Sequence, residues 1–467
     1  MKNIFIKTLA GIALLLFIVF QIRGQLPVTG RPVPELAHIE PLVTSWMNAG
    51  NIDAAVIGIM RDGVVVYLRG FGWLDDDVPM IENAKVRLAS VTKPITAAAI
   101  RNLIAEPDID LALNTPAFNI GSNNGVLNLS PWPSLGDTRL ANVTVNHLLN
   151  HWGGWARDSV GDHTIRECQI ASEMNVTSPP GRTNTMRWIL GQPLINNPGA
   201  TYHYSNEGYL ALGLIIEELQ PISYLSYVRN RILRPGMGVP VTEISQARTL
   251  RGNADPREPW YRGGTCTFCN VFPGLVFGGC SNVLSIQRAY GQRHLEARLS
   301  QGGLIASAPA VLRFANTYRV GSQNIGMPLD EAPLTSQQAH GGSLEGVSTY
   351  LVQHPDGYNA FIFFNNRSDT TYVARRFWSV HLRDTLQGLN EDDWPTAASD
   401  GFWTQTSGSS SGGYGAYNQP YGSFSHALNQ CTNGSNIRLL PGATQWSGLI
   451  TTRLLIDAPE GNALIGQ

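Results

Sequence analysis

Two side chains three residues apart, Ser90 and Lys93, are the first candidates for chemistry in this chain. Lys93 is one of only four lysines, whereas the other 29 basic residues are arginines. A serine hydroxyl becomes a good nucleophile only when a base removes its proton. A lysine amine can be that base if burial lowers its pKa, but an arginine stays protonated. The spacing favours a nucleophile and its base; a helix cap followed by a solvated lysine is the alternative.

A second segment with chemical potential is Tyr204-Ser205-Asn206, which precedes an apolar helical pattern. A tyrosine phenol can move protons between a nucleophile, a lysine and a leaving group. An asparagine amide can hydrogen-bond both Lys93 and a substrate carbonyl. The alternative for Tyr204 is ordinary packing in a tyrosine-rich loop.

A third segment, His340-Gly341-Gly342-Ser343, stands at the head of a pair of strand-like runs. Glycines there let a substrate backbone approach the strand edge, and a backbone N–H from that edge could help to form an oxyanion hole. The alternative for His340 is an ordinary loop histidine.

The elements that would position these segments form an α+β pattern. Residues 54–73 and 346–367 each contain two β-branched or aromatic runs separated by an Asp-Gly turn, which predicts two hairpins. The run after Ser90 fits a buried helix with Pro94 in its first turn. Residues 114–310 read as a mostly helical insertion, and 372–386 as a last helix. We therefore expect an antiparallel sheet flanked by helices with an inserted, mostly helical subdomain.

The order of these motifs resembles one known group of enzymes. The three segments, with "HLLNHWGGW" (residues 147–155) between the first two, are similar to serine hydrolases related to class C β-lactamases and DD-peptidases. That superfamily also includes D-aminopeptidases and EstB-type esterases. The resemblance covers residues 35–389 and implies a β-lactamase/transpeptidase-like fold.

The resemblance also implies roles for individual residues. Ser90 would be the acylated nucleophile, Lys93 and Tyr204 its acid–base partners, and Asn206 an amide that contacts Lys93 and substrate. The N–H groups of Ser90 and Ser343 would form the oxyanion hole, with His340, Gly341 and Gly342 on the same substrate-binding strand. His151 and Trp155 are further candidates for substrate contact.

Two departures from the family pattern bear on the substrate. The β-lactamases of this group have Lys-Thr-Gly where this chain has His340-Gly341-Gly342, and Glu207 replaces a more usual apolar residue after Asn206. We expect an acyl-enzyme hydrolase of small esters, amides or D-amino-acid peptides. The alternatives are a β-lactamase or DD-carboxypeptidase, and, in another class, a non-catalytic scaffold that retains the fold.

The net charge and the N-terminal residues bear on the partners and the cellular location of the protein. A net charge of −2 argues against nucleic acid as a partner. Lys2 and Lys7 precede an apolar run that ends near Phe20, the layout of a secretory signal over residues 1–24. We expect a secreted or periplasmic protein, or weak membrane anchoring if the segment is not cleaved. The sequence does not determine the oligomeric state.

Five cysteines suit an exported chain, and a local disulfide among Cys266, Cys269 and Cys280 is the expectation. We expect no metal and no cofactor, because a zinc site at these cysteines would lack a fourth ligand. Beyond Leu389 the composition changes. Residues 390–422 read as a Gly/Ser-rich linker and 423–467 as a β-rich tail, which weakly resembles turns of a right-handed β-helix.

Overall fold

The structure is a computed structural model that describes residues 26–235, 237, 239–266, 270–272, 285–321, 324–366, 373–395, 402–404, 422–430, 435–439, 442–444, 454–457 and 463–465. The expected signal segment, residues 1–24, lies outside these ranges. Within them, no helix has the length and apolar character that crossing a bilayer requires.

A seven-stranded antiparallel sheet forms the centre of the fold. Its strand order is β1-β3-β2-β12-β11-β10, with β4 attached to β3. The strands of the chain are β1 Val28–Thr29, β2 Ala54–Arg61, β3 Val64–Asp75, β4 Val78–Pro79, β5 Val86–Arg87, β6 Ile244–Gln246, β7 Thr265–Cys266, β8 Ile286–Gln287, β9 Leu304–Ala306, β10 Gln338–Leu344, β11 Val347–Gln353, β12 Tyr358–Phe364, β13 Phe402–Thr404, β14 Ser435–Leu439, β15 Gly442–Thr444, β16 Leu454–Asp457 and β17 Ala463–Ile465.

Helices cover both faces of this sheet. The α-helices are α1 Ile39–Gly50, α2 Thr92–Ala105, α3 Val145–Leu149, α4 Arg157–Val160, α5 Glu167–Glu173, α6 Gly181–Leu190, α7 Asn206–Leu219, α8 Tyr224–Tyr227, α9 Leu299–Gly302, α10 Ala308–Ala315, α11 Val373–Phe377, α12 Arg383–Gln387 and α13 Phe424–Gln430. Helices α3 to α9 lie within residues 114–310, so the predicted mostly helical insertion in an α+β fold is confirmed.

Alternation along the strands fills two apolar layers, one on each face of the sheet. On β12, Phe361 and Phe363 join the core shared with α2, α7 and α10. Ile362 and Phe364 join the core shared with α1 and α11. Because both faces are covered, the strands read as nearly continuous apolar runs instead of apolar–polar alternation.

Both predicted hairpins are present. Strands β2 and β3 are joined by Asp62 and Gly63, whose φ angles are 48° and 80°. Two consecutive positive φ values twist a two-residue turn in the sense that the strands require. The second pair, β11 and β12, is connected through a turn with Gly357 at φ 84°.

The packed unit extends a few residues past Leu389. A short 3-10 turn, Glu391–Asp393, precedes Trp394, whose side chain is only 9% exposed. The Trp394 ring lies 5.4 Å from that of Tyr358, and the Arg61 guanidinium lies 5.1 Å from its centroid. The predicted last helix is divided into α11, a π-helical stretch Trp378–Leu382, and α12.

Part of the C-terminal tail is described. Strands β13, β14 and β16 form a parallel sheet, and β15 pairs in parallel with β17. Phe402–Thr404, inside the segment expected to be a linker, is therefore paired with a tail strand, while residues 405–421 lie outside the described ranges. Positions 269 and 280 also lie outside them, so the expected local disulfide stays a prediction.

Candidate active site

Ser90 lies in a tight turn between β5 and α2. Residues Ala89–Val91 form one 3-10 turn, and α2 begins at the next residue, so Ser90 precedes the α-helix by two positions. Ala89 has φ 49°, a left-handed conformation that a residue with a Cβ adopts only when its surroundings impose it. The Leu88 carbonyl next to it accepts a hydrogen bond from Thr349 Oγ1 at 2.8 Å. The turn is thereby fixed against β11, with Ser90 half-buried.

Lys93 projects from the first turn of α2 and is fully buried. Its Nζ donates to the Gln301 carbonyl oxygen at 2.6 Å and to Asn206 Oδ1 at 2.8 Å. The third neighbour of Nζ is Ser90 Oγ at 3.2 Å. Two acceptors and one hydroxyl match a neutral amine, which has two N–H groups and one lone pair able to accept the serine proton.

Burial drives the pKa of Lys93 well below its ordinary value, because the charged form loses its hydration. The Asp162 carboxylate opposes this effect and raises the pKa, while the guanidinium groups of Arg157 and Arg298 lower it further. The environment of Lys93 thus shifts it towards the form that can act as a base.

Tyr204 brings a phenol to the other side of Ser90. Its hydroxyl donates to Ser90 Oγ at 2.7 Å. Burial raises the pKa of the Tyr204 phenol, although the hydrogen bond to Ser90 counteracts this in part. The His151 ring packs against Tyr204 with 4.6 Å between centroids. Tyr204 is therefore a neutral, well-supported donor at neutral pH.

Asn206 is the first residue of α7 and joins Lys93 to a residue that the sequence reasoning missed. Its Nδ2 donates to Asp162 Oδ2 at 2.5 Å, while Oδ1 accepts from Lys93. Asp162 is buried and caps the 3-10 turn His163–Ile165 by accepting from the Thr164 N–H. From sequence, the Asp-x-Thr pattern indicates a cap but not a link to position 206.

Glu207, the other departure from the family pattern, is part of a buried network. Its carboxylate accepts hydrogen bonds from the His163 backbone N–H at 2.9 Å and from Ser205 Oγ at 2.9 Å, and its Oε1 lies 3.1 Å from His163 Nδ1. The network joins the turn at His163 to the start of α7. Glu207 is structural support directly behind the site.

Strand β10 places the third predicted segment beside the Ser90 turn. It is the edge strand of the sheet, and it packs on the turn formed by Ala89–Val91. A Cβ on Gly342 would lie 2.3 Å from the Leu88 carbonyl oxygen and 2.2 Å from Thr349 Oγ1, so only glycine fits there. Gly341 and Ser343 flank it, both half-buried. The oxyanion role expected for Ser343 stays a prediction.

His340 on β10 is held neutral. Burial, and after it the nearby Lys93, lower the pKa of the His340 imidazole to about 3. The charged imidazolium is thus absent at neutral pH.

The two further candidates for substrate contact, His151 and Trp155, differ in position. His151 has φ 63° and its Nδ1 accepts from the Ser205 N–H at 3.1 Å, so it supports the Tyr204 segment. Trp155 is 2% exposed and packs edge-on against Phe118 in the main core. Its burial argues against the substrate contact considered for it.

Among the residues that the structure describes, no three His, Cys, Asp or Glu side chains are grouped so as to hold a metal ion.

The sequence matches a known protein family. The family model described as Beta-lactamase matches residues 38–419, most of the chain. Protein flp of Staphylococcus aureus (strain COL) is 30% identical over 205 residues, covering 42% of this chain and 36% of that protein. The chain thus spans little more than a third of the length of this curated relative. Penicillin-binding protein 4* of Bacillus subtilis (strain 168) is 24% identical over 362 residues, 72% of each chain.

Solved structures share the fold at low sequence identity. The D-amino acid amidase from Ochrobactrum anthropi SV3 aligns with a TM-score of 0.53 and 15% identity, covering 75% of this chain and all of that one. The penicillin-binding protein homologue from Pyrococcus abyssi, described as octameric, aligns with a TM-score of 0.50 and 20% identity, covering 77% and 79%. Since the family model spans most of the chain, the protein belongs to the family described as Beta-lactamase.

Proposed function

We propose that this protein hydrolyses small esters or amides through an acyl-enzyme formed on Ser90. The observation that carries the proposal is the buried amine of Lys93, 3.2 Å from Ser90 Oγ, beside a phenol that donates to the same oxygen. An amine whose pKa is lowered by burial is a competent base for a serine hydroxyl, and the phenol is a competent acid.

The proton movements follow from this arrangement. Ser90 Oγ attacks the substrate carbonyl carbon while its proton passes to Lys93 Nζ. The carbonyl oxygen becomes an oxyanion, for which the N–H groups of Ser90 and Ser343 are the candidate donors. As the tetrahedral intermediate collapses, Tyr204 donates its proton to the leaving alcohol or amine. Tyr204 then regains a proton from Lys93, which restores the neutral pair. In the second half, water attacks the acyl-enzyme and gives its proton to Lys93 Nζ. As the second tetrahedral intermediate collapses, Ser90 Oγ leaves and takes a proton from Tyr204, which Lys93 reprotonates.

The neutral state of His340 is an argument for uncharged substrates. A lysine at this position would present a permanent positive charge to a substrate carboxylate, whereas a neutral imidazole forms one hydrogen bond and attracts an anion much less. We therefore place short-chain esters and amides, including D-amino-acid amides, ahead of carboxylate-bearing β-lactams. A β-lactamase or DD-carboxypeptidase is the second candidate, supported by the likeness to penicillin-binding protein 4*.

We also propose that the protein is exported. The support is the pattern of residues 1–24, where two lysines precede a short apolar run. The expected location is the periplasm or the medium, with the membrane surface as the alternative if the segment is retained.

The test is labelling with a fluorophosphonate probe, followed by assays with p-nitrophenyl esters, D-amino-acid anilides and nitrocefin. Wild-type protein should be labelled at Ser90, and Ser90→Ala should lose labelling and at least about 10³-fold in turnover, since a covalent nucleophile is removed. Circular dichroism should be the same for both proteins. An unlabelled wild type would favour a non-catalytic scaffold, and turnover by the alanine variant near the wild-type rate would exclude Ser90 as nucleophile.

A further inference from the structure

The Asp162 carboxylate is buried directly behind the candidate site, with 6% of its surface exposed. It accepts three hydrogen bonds, from the Thr164 N–H at 2.9 Å, Thr164 Oγ1 at 2.6 Å and Asn206 Nδ2 at 2.5 Å. Burying a carboxylate is costly unless such partners compensate. Both bonds from Thr164 go to Oδ1 and hold the carboxylate within its own turn. The other oxygen, Oδ2, accepts the bond from Asn206.

The chemistry of these partners leaves Asn206 a single orientation. An ionised carboxylate only accepts hydrogen bonds, so the amide must turn its NH2 group towards Asp162. Its carbonyl oxygen then faces Lys93, where it accepts from Nζ at 2.8 Å. Without the carboxylate, the amide could rotate and present NH2 to Lys93, which would compete with Ser90 for the lone pair of a neutral amine.

We propose that Asp162 is a positioning residue that fixes the amide orientation of Asn206 and thereby the direction of the Lys93 lone pair towards Ser90. This inference rests on the proposed function and adds a residue to it. Asp162 itself does not touch the reacting atoms, because Asn206 lies between it and Lys93.

The charge of Asp162 gives the proposal a signature that a purely structural role would lack. Asp162 raises the pKa of Lys93 and so limits how far burial lowers it. Further charged or titratable groups around Lys93 act in both directions: Arg157 and Arg298 lower the Lys93 pKa, Glu207 raises it, and Tyr204, Tyr209, His151 and His340 also face it. Removal of the negative charge should therefore lower the Lys93 pKa, and the acidic limb of the rate profile should move to lower pH.

The experiment is a pH profile of kcat/KM on a neutral p-nitrophenyl ester for wild type and Asp162→Asn. The expected result is a plateau of kcat/KM about tenfold lower in Asp162→Asn, which equals a loss of roughly 1.4 kcal/mol of transition-state stabilisation. The acidic limb of the variant should lie at lower pH. Asp137→Asn is the matched control: Asp137 also caps a 3-10 turn and binds its own arginine, Arg139, so its loss should lower Tm and leave the limb in place.

A second pair of variants keeps the test decisive if Asp162→Asn alone folds poorly. Asn206→Asp places a second carboxylate against Asp162 and should be nearly inactive. Adding Asp162→Asn should restore part of that activity, because the new amide can donate to the new carboxylate. In this double variant the acidic limb should lie at higher pH than in the wild type, because a negative charge at position 206 then lies directly beside Lys93 and raises its pKa.

Two outcomes would overturn the inference: a wild-type plateau and limb in Asp162→Asn, or no rescue of Asn206→Asp by the second substitution. Both are separable from a failure of the proposed function, since fluorophosphonate labelling of wild-type Ser90 is measured independently.

Discussion

At the residue scale, the partners of Lys93 explain why the chain has a lysine there. The amine is fully buried, its two acceptors are uncharged, and its third neighbour is the Ser90 hydroxyl. A guanidinium would carry its charge into the same space, since its pKa stays above 12. The same surroundings that lower the pKa of Lys93 thus favour a residue whose proton can be removed.

Lys93→Arg should be almost as damaging as Lys93→Ala, with kcat/KM reduced by about 10²- to 10⁴-fold, the usual contribution of a general base. The measurement is hydrolysis of the p-nitrophenyl ester for which the wild type has the highest kcat/KM. Lys85→Arg is the matched control, because Lys85 is also buried but forms an ion pair with Asp255, which an arginine can maintain. If Lys93→Arg kept a substantial part of the wild-type rate, Lys93 would be an electrostatic or structural residue.

His340→Lys should shift the ratio of kcat/KM values towards carboxylate-bearing substrates, by about tenfold for one added charge. In the wild type, His340 has a pKa of about 3, so it is neutral throughout pH 5 to 8 and the ratio should not change over that range. A wild-type preference for anionic substrates that rises as pH falls from 8 to 5 would show that His340 becomes charged. Nitrocefin turnover that equals the best ester at pH 8 would favour a β-lactamase.

At the scale of elements, the site depends on how closely β10 approaches the turn before α2. A Cβ on Gly342 would overlap the Leu88 carbonyl oxygen and lie 3.1 Å from the Ala89 Cβ, and Thr349 from β11 donates a hydrogen bond to the same Leu88 carbonyl. A strand, a turn and a helix that are distant in sequence therefore meet at Ser90. The glycine is required by close contact and not by a positive φ.

Gly342→Ala should displace β10 from the Ser90 turn, because the added Cβ would overlap backbone and hydroxyl atoms at about 2.2 to 2.3 Å. We expect a loss of about 1–3 kcal/mol in the free energy of unfolding, as for other overpacked sites, and at least a tenfold fall in kcat/KM. Gly341→Ala is the control for stability, because its Cβ would have no neighbour closer than 3.6 Å. Equal Tm values for the two variants would contradict the close-approach argument.

At the scale of the whole molecule, one face of the sheet is covered by helices that precede its first long strand and follow its last one. Helix α1 near the N-terminus and helices α11 and α12 share one core with the outer face of the sheet. Trp394 extends this core beyond the predicted boundary at Leu389. The C-terminal strands β13 to β17 pair with one another in the parts that are described.

Truncation after Pro395 should leave a folded, active catalytic unit, because the described tail strands pair among themselves. Truncation after Asn390 should be less stable by about 3 kcal/mol, the usual cost of removing a buried tryptophan side chain. Urea unfolding of the two truncated proteins would measure the difference. Insoluble protein from both would show that the tail completes the core.

Much of the fold was accessible from sequence because its signals are local. Apolar runs on either side of Asp-Gly turns predicted both hairpins, and the apolar spacing after Ser90 predicted α2 almost to its ends. The extent of the last helix was predicted too, but not its π-helical stretch, for which the sequence has no recognisable marker.

By itself, the sequence determined the residue types and their order: a serine followed by a lysine one turn later, a Tyr-x-Asn before a helix, and a glycine pair on a strand. Tertiary structure decided their environment. The lowered pKa of Lys93 comes from burial among α2, α7 and α9, and the placement of Asp162 against Asn206 joins positions 44 residues apart. Local patterns cannot encode such effects, because burial and charge at one atom are set by every segment that packs around it.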